Sequence, residues 1–399
     1  MKFDFTTIYD RRGRDAMAVD AVEKIPVFQP NEGFDAIPMW VADMNFATAP
    51  AVTEAIRKRL EHPLFGYFMT SDEYFDSIIR WQERRNGVTG LEKEHIGYEN
   101  GVLGGLMSAL AAVCARGDNV LVHSPTYIGF TRSIENGGYH VITSPLKPDR
   151  YGVQRMDFFD METKIKRNDI RAVVFCSPHN PTGRVWEQEE LEHFMDMARR
   201  LNVTVISDEI WSDLTLRGHR HIPLQSVSDD ARQRTVALYA PSKTFNLAGL
   251  IGSYHIVYNE ALHKRMKKES SLSHYNSMNV LSMHALIGAY SDEGSQWVDE
   301  LREVLTENVK YACRFIRKNL PGVSVQQPEG TYMLFLDCAA WLQEHHMTLL
   351  ELEERGARAG VIWQDGAAFA WPDSIRMNLA LPHSRLVEAM ERLRVHAFC

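Results

Sequence analysis

The sequence is poor in cysteine, and its five cysteines follow neither of the patterns in which proteins commonly use them. Their number is odd, and no two of them stand in a C-x-x-C arrangement. Disulfide frameworks need thiols in pairs, and zinc sites need them closely spaced. We therefore expect reduced thiols in a cytoplasmic protein, with neither a disulfide framework nor a metal site.

Long apolar runs and an excess of basic residues are also absent from the sequence. The most apolar stretch, residues 102–115, is too short to cross a bilayer, and the first residues contain no apolar segment of the secretory type. The net charge is −8 at pH 7, which is the wrong sign for binding nucleic acid or an anionic membrane. These features predict a soluble protein whose ligands are small molecules, with no nucleic-acid or membrane partner.

The sequence does contain a regular alternation of apolar strands and amphipathic helices. This alternation indicates a mostly parallel sheet sandwiched by helices. From about residue 290 the pattern changes to a long amphipathic helix, starting near residue 296, followed by short strands and helices. We therefore predict an α/β fold with a smaller α+β domain. The predicted strands of the large domain cover residues 119–123, 171–176, 203–207, 235–239 and 252–258.

Lys243 lies four residues after the end of the predicted strand 235–239. The carboxyl ends of parallel strands are where α/β proteins place their ligands. A primary amine at this edge can form a Schiff base with an aldehyde cofactor. Taken alone the signal is weak, because most lysines lie at the surface. Motifs that follow the other strands make it specific.

A glycine-rich turn opens the first strong helical run. Gly101, Val102 and Leu103 stand at the start of a helix that continues toward residue 115. A helix start presents free N–H groups and the positive end of the helix dipole, which suits a phosphate group. An ordinary glycine-rich helix start is the alternative at this point.

Tyr127, Asn180 and Asp208 each follow a different predicted strand. The Tyr127 ring can stack on a flat cofactor or pack against the next helix. Asn180 lies in a turn with two prolines and a glycine, and its side chain can donate a hydrogen bond to a phenolic or carboxylate oxygen. Alternatively, the turn has a structural role only. Asp208 ends an apolar strand, and a carboxylate there is costly to bury without a cation nearby. A protonated pyridine nitrogen would be such a cation. Alternatively, the carboxylate caps the next turn.

Together with Lys243, these motifs resemble the fold-type I pyridoxal 5′-phosphate (PLP) enzymes, the aspartate aminotransferase superfamily. The resemblance extends from about Pro38 to the last helix. It implies a PLP-dependent transferase-like fold, PLP as the cofactor and an amino acid as the substrate. It also implies a large PLP-binding domain over residues 50–290 and a small domain formed by residues 1–49 and 291–399.

The resemblance implies a role for each motif residue. Lys243, Asp208 and Tyr127 are expected to be catalytic, with Lys243 forming the Schiff base and Asp208 keeping the pyridine nitrogen protonated. Arg376 matches the arginine that binds the substrate carboxylate, for which a planar guanidinium is suited. The expected cofactor contacts are Gly101, Val102, Leu103, Tyr67, Tyr127, Asn180, Asp208, Trp211, Ser242 and Lys243, and the expected substrate contacts are Arg376, Trp40 and Asn180.

Within the superfamily, the chain is most similar to the MalY/PatB-type cystathionine β-lyases, which are carbon–sulfur lyases. Residues 37–46 resemble the N-terminal loop of that group. Residues 65–67 resemble a segment whose tyrosine, here Tyr67, enters the site of the neighbouring subunit, which implies a homodimer. Trp211 stands where those lyases usually carry histidine, and its indole N–H is expected to bind the phenolic oxygen of the cofactor. Ile251 stands where many aminotransferases carry a second arginine, which favours the lyase.

The resemblance implies β-elimination, in which cystathionine or a cysteine S-conjugate gives a thiol, pyruvate and ammonia. A class I/II aminotransferase is the first alternative, because the same proton abstraction can lead to transamination. A non-catalytic binding protein that keeps the fold is the second alternative. The presence of both Lys243 and Asp208 argues against a binding protein. Binding alone requires neither a base nor a carboxylate that maintains the electron sink of the cofactor.

Overall fold

Strands and helices alternate along most of the chain. The structure, a computed structural model, describes residues 1–272 and 276–399. Within these two ranges no helix is both long enough and apolar enough to cross a membrane. The strands are β1 (Ile37–Pro38), β2 (Ile96–Glu99), β3 (Asn119–Ser124), β4 (His140–Pro145), β5 (Lys147–Pro148), β6 (Gln154–Arg155), β7 (Ala172–Cys176), β8 (Thr204–Asp208), β9 (Thr235–Tyr239), β10 (Ser253–Ile256), β11 (Ser324–Val325), β12 (Met333–Asp337), β13 (Val361–Ile362), β14 (Gln364–Asp365) and β15 (Ser374–Asn378). The helices are α1 (Met17–Asp20), α2 (Pro50–Leu60), α3 (Asp72–Trp81), α4 (Val102–Val113), α5 (Ile128–Asn136), α6 (Phe158–Arg167), α7 (Gln188–Arg200), α8 (Asp229–Arg234), α9 (Pro241–Thr244), α10 (Glu260–Ser271), α11 (Val280–Ala289), α12 (Asp292–Asn319), α13 (Ala339–His345), α14 (Leu349–Arg358) and α15 (His383–Arg392).

The main sheet has seven strands in the order β2-β10-β9-β8-β7-β3-β4. The neighbours from β9 to β4 pair in parallel, and β10 runs antiparallel to both β2 and β9. The predicted mostly parallel sheet is therefore confirmed. Because β2, β3, β7, β8 and β9 run in one direction, the segments that follow them emerge at the same edge of the sheet.

Helices cover both faces of the main sheet, which explains why its central strands are apolar on both sides. In β3, Val120 and Val122 belong to one buried cluster, while Leu121 belongs to the cluster on the opposite face. This alternation is the two-residue period of a strand. The first cluster includes side chains of α4, α5 and α10, and the second includes side chains of α6 and α7.

The second sheet is antiparallel, in the order β11-β12-β15-β14, and belongs to the C-terminal part of the chain. The N-terminal segment joins this part through β1, where Ile37 pairs in parallel with Val361 of β13. The predicted fold, with a smaller α+β unit beside the main sheet, is confirmed. The domain bounds given above for residues 50–290, 1–49 and 291–399 stay a prediction.

The long helix α12 begins at Asp292, earlier than the predicted residue 296. The Ser291 hydroxyl accepts a hydrogen bond from the Gly294 N–H (3.1 Å), and two acidic residues in the first turn favour the helix dipole. This first turn is polar, so it carries none of the apolar periodicity on which the prediction rested.

The turn that carries Asn180 is joined directly to the segment before β12. The Gly183 carbonyl accepts hydrogen bonds from the N–H groups of Glu329 and Gly330, both at 2.8 Å. Gly183 has a φ of +71°, and a Cβ there would lie 2.3 Å from the Pro328 Cβ and 2.7 Å from the Gly330 carbonyl oxygen. Both the backbone conformation and the packing therefore require glycine at this position.

We expect Gly183→Ala to destabilise the fold by about 3 kcal/mol or more, because the added methyl group would overlap its neighbours in addition to straining the backbone. Gly90 offers a matched control, since its φ is +69° and no atom of the described residues lies within 4 Å of its ideal Cβ. Gly90→Ala should cost only about 1–2 kcal/mol. Urea unfolding measures the free energy of unfolding of both variants. Equal losses of stability would contradict the expected overlap, because they would show that the neighbours of residue 183 move aside without cost.

Candidate active site

The carboxyl edge of the main sheet borders a cavity of about 340 Å³. Its walls come mainly from the segments that follow β2, β3, β7, β8 and β9, so residues distant in sequence meet there. A larger cavity of about 490 Å³ lies beside the N-terminal segment and contains none of the predicted site residues. The lining of the smaller cavity includes Ala42, Gly101, Val102, Leu103, Tyr127, Asn180, Asp208, Trp211, Ser242, Lys243 and Ile251.

Lys243 is held in the short helix α9, just after β9. Pro241 occupies the start of this helix, where its fixed φ is favourable. The Thr244 hydroxyl donates to the buried Asp213 carboxylate (3.0 Å), which anchors the turn. The Lys243 amine donates to the Ala42 carbonyl oxygen at 2.8 Å. The amine is thus fixed between the main sheet and the N-terminal segment.

Burial, together with the nearby positive charge of Arg376, lowers the pKa of the Lys243 amine to about 8. The carboxylates of Asp43 and Asp208 oppose this shift. An amine with such a pKa is partly unprotonated near neutral pH. It can therefore act both as a nucleophile toward an aldehyde and as a base.

Asp208 is buried at the end of β8. Its carboxylate accepts a hydrogen bond from the Ile210 N–H at 3.0 Å, and no cationic side chain among the described residues lies within ion-pair distance. Burial raises the pKa of Asp208 to about 7, although the Ile210 bond and the charge of Lys243 oppose the shift. A buried carboxylate in this state is completed by a cation. The protonated pyridine nitrogen of PLP fits that requirement.

The start of α4 provides a site for an anion. Gly101 precedes the helix with a φ of +81°, and within the described ranges no side-chain hydrogen bond caps the start of α4. Asn276 fixes the turn, because its side chain accepts from the Asn100 N–H (2.6 Å) and donates to the Tyr98 carbonyl (2.7 Å). Ser242 lines the same cavity. Free N–H groups at a helix start suit the phosphate group of PLP.

Tyr127 stands at the beginning of α5 with its ring at the cavity. A Cβ on Gly129 would lie 2.3 Å from the Tyr127 ring, so glycine at this position leaves space for the ring. The ring also meets Phe130 edge-on, with centroids 5.4 Å apart. These contacts fix an aromatic surface at the cavity, as stacking on a flat cofactor requires.

Arg376 lies in β15 and is 3% exposed. Its guanidinium donates to the Asn180 side-chain oxygen (3.1 Å), the Trp40 carbonyl (3.2 Å) and the Gln364 side-chain oxygen (2.5 Å). All three acceptors are neutral, and the buried Nε has no partner in the described part of the chain. Burial lowers the pKa of Arg376 to about 10, which leaves it charged. A guanidinium placed in this way is suited to a ligand carboxylate.

The structure does not bring every predicted residue to the cavity. Trp211 lines it and meets Tyr332 edge-on, with ring centroids 4.7 Å apart. The Trp40 indole N–H instead donates to the Ala18 carbonyl (3.0 Å), and the Trp40 side chain does not line the cavity. Tyr67 is fully exposed in the single chain.

Sequence reasoning missed the groups that hold the amine and the guanidinium in place. The Ala42 carbonyl accepts from Lys243 and also from the Tyr332 hydroxyl (3.0 Å), but a backbone oxygen leaves no signal in a sequence. Gln364 meets Arg376 because the two residues are paired across β14 and β15. Only knowledge of the strand register could have identified this partner.

The arrangement of strands and helices is that of the fold-type I PLP enzymes, the class that the sequence motifs predicted. Residues 36–393 match the family described as aminotransferase class I and II, and the chain belongs to that family.

Comparison with known proteins identifies carbon–sulfur lyases among the similar chains. Cystathionine β-lyase PatB of Bacillus subtilis (strain 168) is 35% identical over 365 residues, covering 90% of this chain and 92% of PatB. The PLP-bound C–S lyase from Staphylococcus hominis is 31% identical with a TM-score of 0.88, covering 98% of both chains. Cystalysin from Treponema denticola, whose structure contains PLP, is 29% identical with a TM-score of 0.92, covering 99% of this chain and 98% of cystalysin. The predicted superfamily and its PLP cofactor are confirmed.

Asp208→Asn is expected to stabilise the PLP-free protein at high pH. The folded-state pKa of Asp208, about 7, exceeds its ordinary value of 3.8. This carboxyl therefore lowers stability progressively as the pH rises from about 4 to about 7. We expect the variant to be more stable by up to about 4 kcal/mol above pH 7, and nearly unchanged near pH 4.

Urea unfolding at several pH values and one protein concentration measures this difference. With saturating PLP the order should reverse, because asparagine offers no negative charge to the pyridine nitrogen. A stability difference that does not change with pH would contradict the expected titration of Asp208.

Proposed function

We propose that the protein is a PLP-dependent carbon–sulfur β-lyase that cleaves cystathionine or cysteine S-conjugates. The names of the similar proteins support this proposal, since PatB is a cystathionine β-lyase and the Staphylococcus hominis protein is a C–S lyase. Ile251 supports it further: this apolar side chain lines the cavity at the position where many aminotransferases carry a second arginine.

One observation carries the proposal: two buried ionisable groups at the site lack partners of opposite charge among the described residues. Asp208 has no cation, and Arg376 has no carboxylate. The amine of Lys243 lies in the same site, with its pKa lowered toward neutrality by burial. PLP would supply a pyridinium for Asp208 and an aldehyde carbon for Lys243, and an amino-acid substrate would supply a carboxylate for Arg376.

The cofactor contacts follow from the lining of the cavity. We assign the phosphate to the N–H groups of Gly101, Val102 and Leu103 with the Ser242 hydroxyl, and the ring to the face of Tyr127. Asn180 and Trp211 are assigned to the phenolic oxygen. Asn180 also holds Arg376 through its side-chain oxygen, so it links the cofactor to the carboxylate site.

Bound PLP supplies an electron sink for the electron pair left when the substrate Cα loses its proton. Arg376 binds the substrate carboxylate and so fixes the direction in which the Cα–H bond points. The free Lys243 amine would accept that proton. The bond from Cβ to sulfur then breaks, and the sulfur leaves with the bonding electrons as a thiolate. The three-carbon remainder takes up water to give pyruvate and ammonia.

We expect the PLP-loaded protein to produce pyruvate and free thiol from L-cystathionine over many turnovers without any keto acid. Lys243→Ala should lower this rate by about 10³-fold or more, because the base is lost. Lys264→Ala is the control, since that lysine is exposed on α10 and pairs with Glu260. A single burst that resumes only when a keto acid is added would identify an aminotransferase instead.

We also infer that the protein is a cytoplasmic homodimer whose sites include Tyr67 of the neighbouring copy. Residues 64–69 expose several large apolar side chains in the single chain, among them Leu64, Phe65, Tyr67 and Met69. A monomer rarely leaves such a segment open to water, and a second copy would cover it. The five free cysteines support a reducing compartment.

Mixed dimers test the contribution of Tyr67 across the interface. In a dimer of one Lys243→Ala chain and one Tyr67→Ala chain, one site carries both changes and the other carries neither. Random mixing of two inactive variants should therefore recover about a quarter of the wild-type activity. Subunits are exchanged in mild denaturant and then assayed. No recovery in confirmed mixed dimers would place Tyr67 in the site of its own chain or outside the site.

A further inference from the structure

An ion pair joins the N-terminal segment to the loop beside the cavity. The Arg11 guanidinium donates to both carboxylate oxygens of Asp43, Nη2 to Oδ2 at 2.6 Å and Nη1 to Oδ1 at 3.3 Å. Nη1 also donates to the Asn45 side-chain oxygen at 3.1 Å. The side chains of the pair are only 19% and 20% exposed. A two-pronged, partly shielded pair of this kind is stronger than an ordinary surface ion pair.

The loop that Arg11 holds also holds the Lys243 amine. The Ala42 carbonyl, next to Asp43 in the chain, accepts from this amine at 2.8 Å. The Asn246 side chain binds both the N–H (2.9 Å) and the carbonyl (3.0 Å) of Met44. A continuous set of contacts therefore leads from Arg11 through residues 42–44 to the amine.

Three charged side chains act on the Lys243 amine. Arg376 acts from β15, Asp208 from the end of β8, and Asp43 from the loop. Among the described residues, Asp43 is the member of this set that has an oppositely charged partner, and that partner is Arg11. Arg11 is therefore placed to weaken the negative charge that the loop presents to the amine.

We propose that Arg11 is a positioning residue for the catalytic amine: by holding Asp43, it fixes the Ala42 carbonyl and sets how strongly the Asp43 charge acts on Lys243. This inference rests on the proposed function, in which Lys243 is the amine that combines with PLP. It assigns the N-terminal segment a part in the chemistry of the site, although Arg11 makes no hydrogen bond to Lys243 and does not itself line the cavity.

The proposal predicts opposite effects from two changes that break the same ion pair. Arg11→Gln removes a positive charge and leaves Asp43 unpaired, so the protonated amine is favoured. Asp43→Asn removes the negative charge, so the unprotonated amine is favoured. A purely structural role would move both variants in the same direction, because both release the loop.

The rate at which the PLP-free protein combines with PLP is followed by visible absorbance. The pH dependence of this rate reports the fraction of the amine that is unprotonated. We expect the midpoint to rise by roughly half a pH unit or more in Arg11→Gln and to fall by a similar amount in Asp43→Asn. Arg11→Lys keeps the charge and should stay near the wild-type midpoint. Arg12→Gln is the matched control, since the Arg12–Asp10 pair is exposed and should leave the midpoint unchanged.

Shifts of Arg11→Gln and Asp43→Asn in the same direction would overturn the proposal, as would an Arg11→Gln midpoint equal to that of Arg12→Gln. Failure of the proposed function gives a different result, in which Lys243→Ala combines with PLP and develops the same visible band as the wild type. Far-ultraviolet circular dichroism of each variant shows that it is folded, and Arg11→Lys tests the charge even where Arg11→Gln folds poorly.

Discussion

The site depends on buried charges that the chain does not neutralise by itself. Asp208 and Arg376 are withdrawn from water, and among the described residues each has only neutral hydrogen-bonding partners. Such burial opposes folding, and a ligand that supplies the missing charges offsets the cost. The two groups belong to different sheets. The relative placement of these sheets therefore sets the distance between the positive group and the negative group of a ligand that binds both side chains. In the proposed function, stability and substrate recognition are therefore linked through the same two side chains.

Much of the site could be predicted because its residues directly follow recognisable apolar strands. Asn180 and Lys243 come after β7 and β9, and Asp208 is the last residue of β8, so parallel pairing places all three at one edge. Arg376 has no comparable local signal, because an arginine within a short strand is ordinary. The family resemblance identified Arg376. The structure adds that its guanidinium is buried and that its hydrogen-bond acceptors are neutral.

Other features could not be predicted from local patterns. The sequence does not predict β2, a strand of four residues that includes Gly97, where a side chain would overlap His255 of the neighbouring β10. Neither does it predict β4, a strand at the sheet edge with only one buried residue. The partners of Lys243 and Arg376 depend on a backbone oxygen and on strand register, and neither is visible in residue types.

The pairing of Ile37 with Val361 joins segments that are separated by most of the length of the chain. During synthesis the N-terminal residues emerge first but have no strand to pair with until nearly all of the chain has been made. The loop over Lys243 follows β1 directly, so the pairing of β1 with the C-terminal β13 helps to fix its place. We therefore expect the lysine to be enclosed late in folding, so that an unfinished chain presents this amine without the carbonyl that orients it.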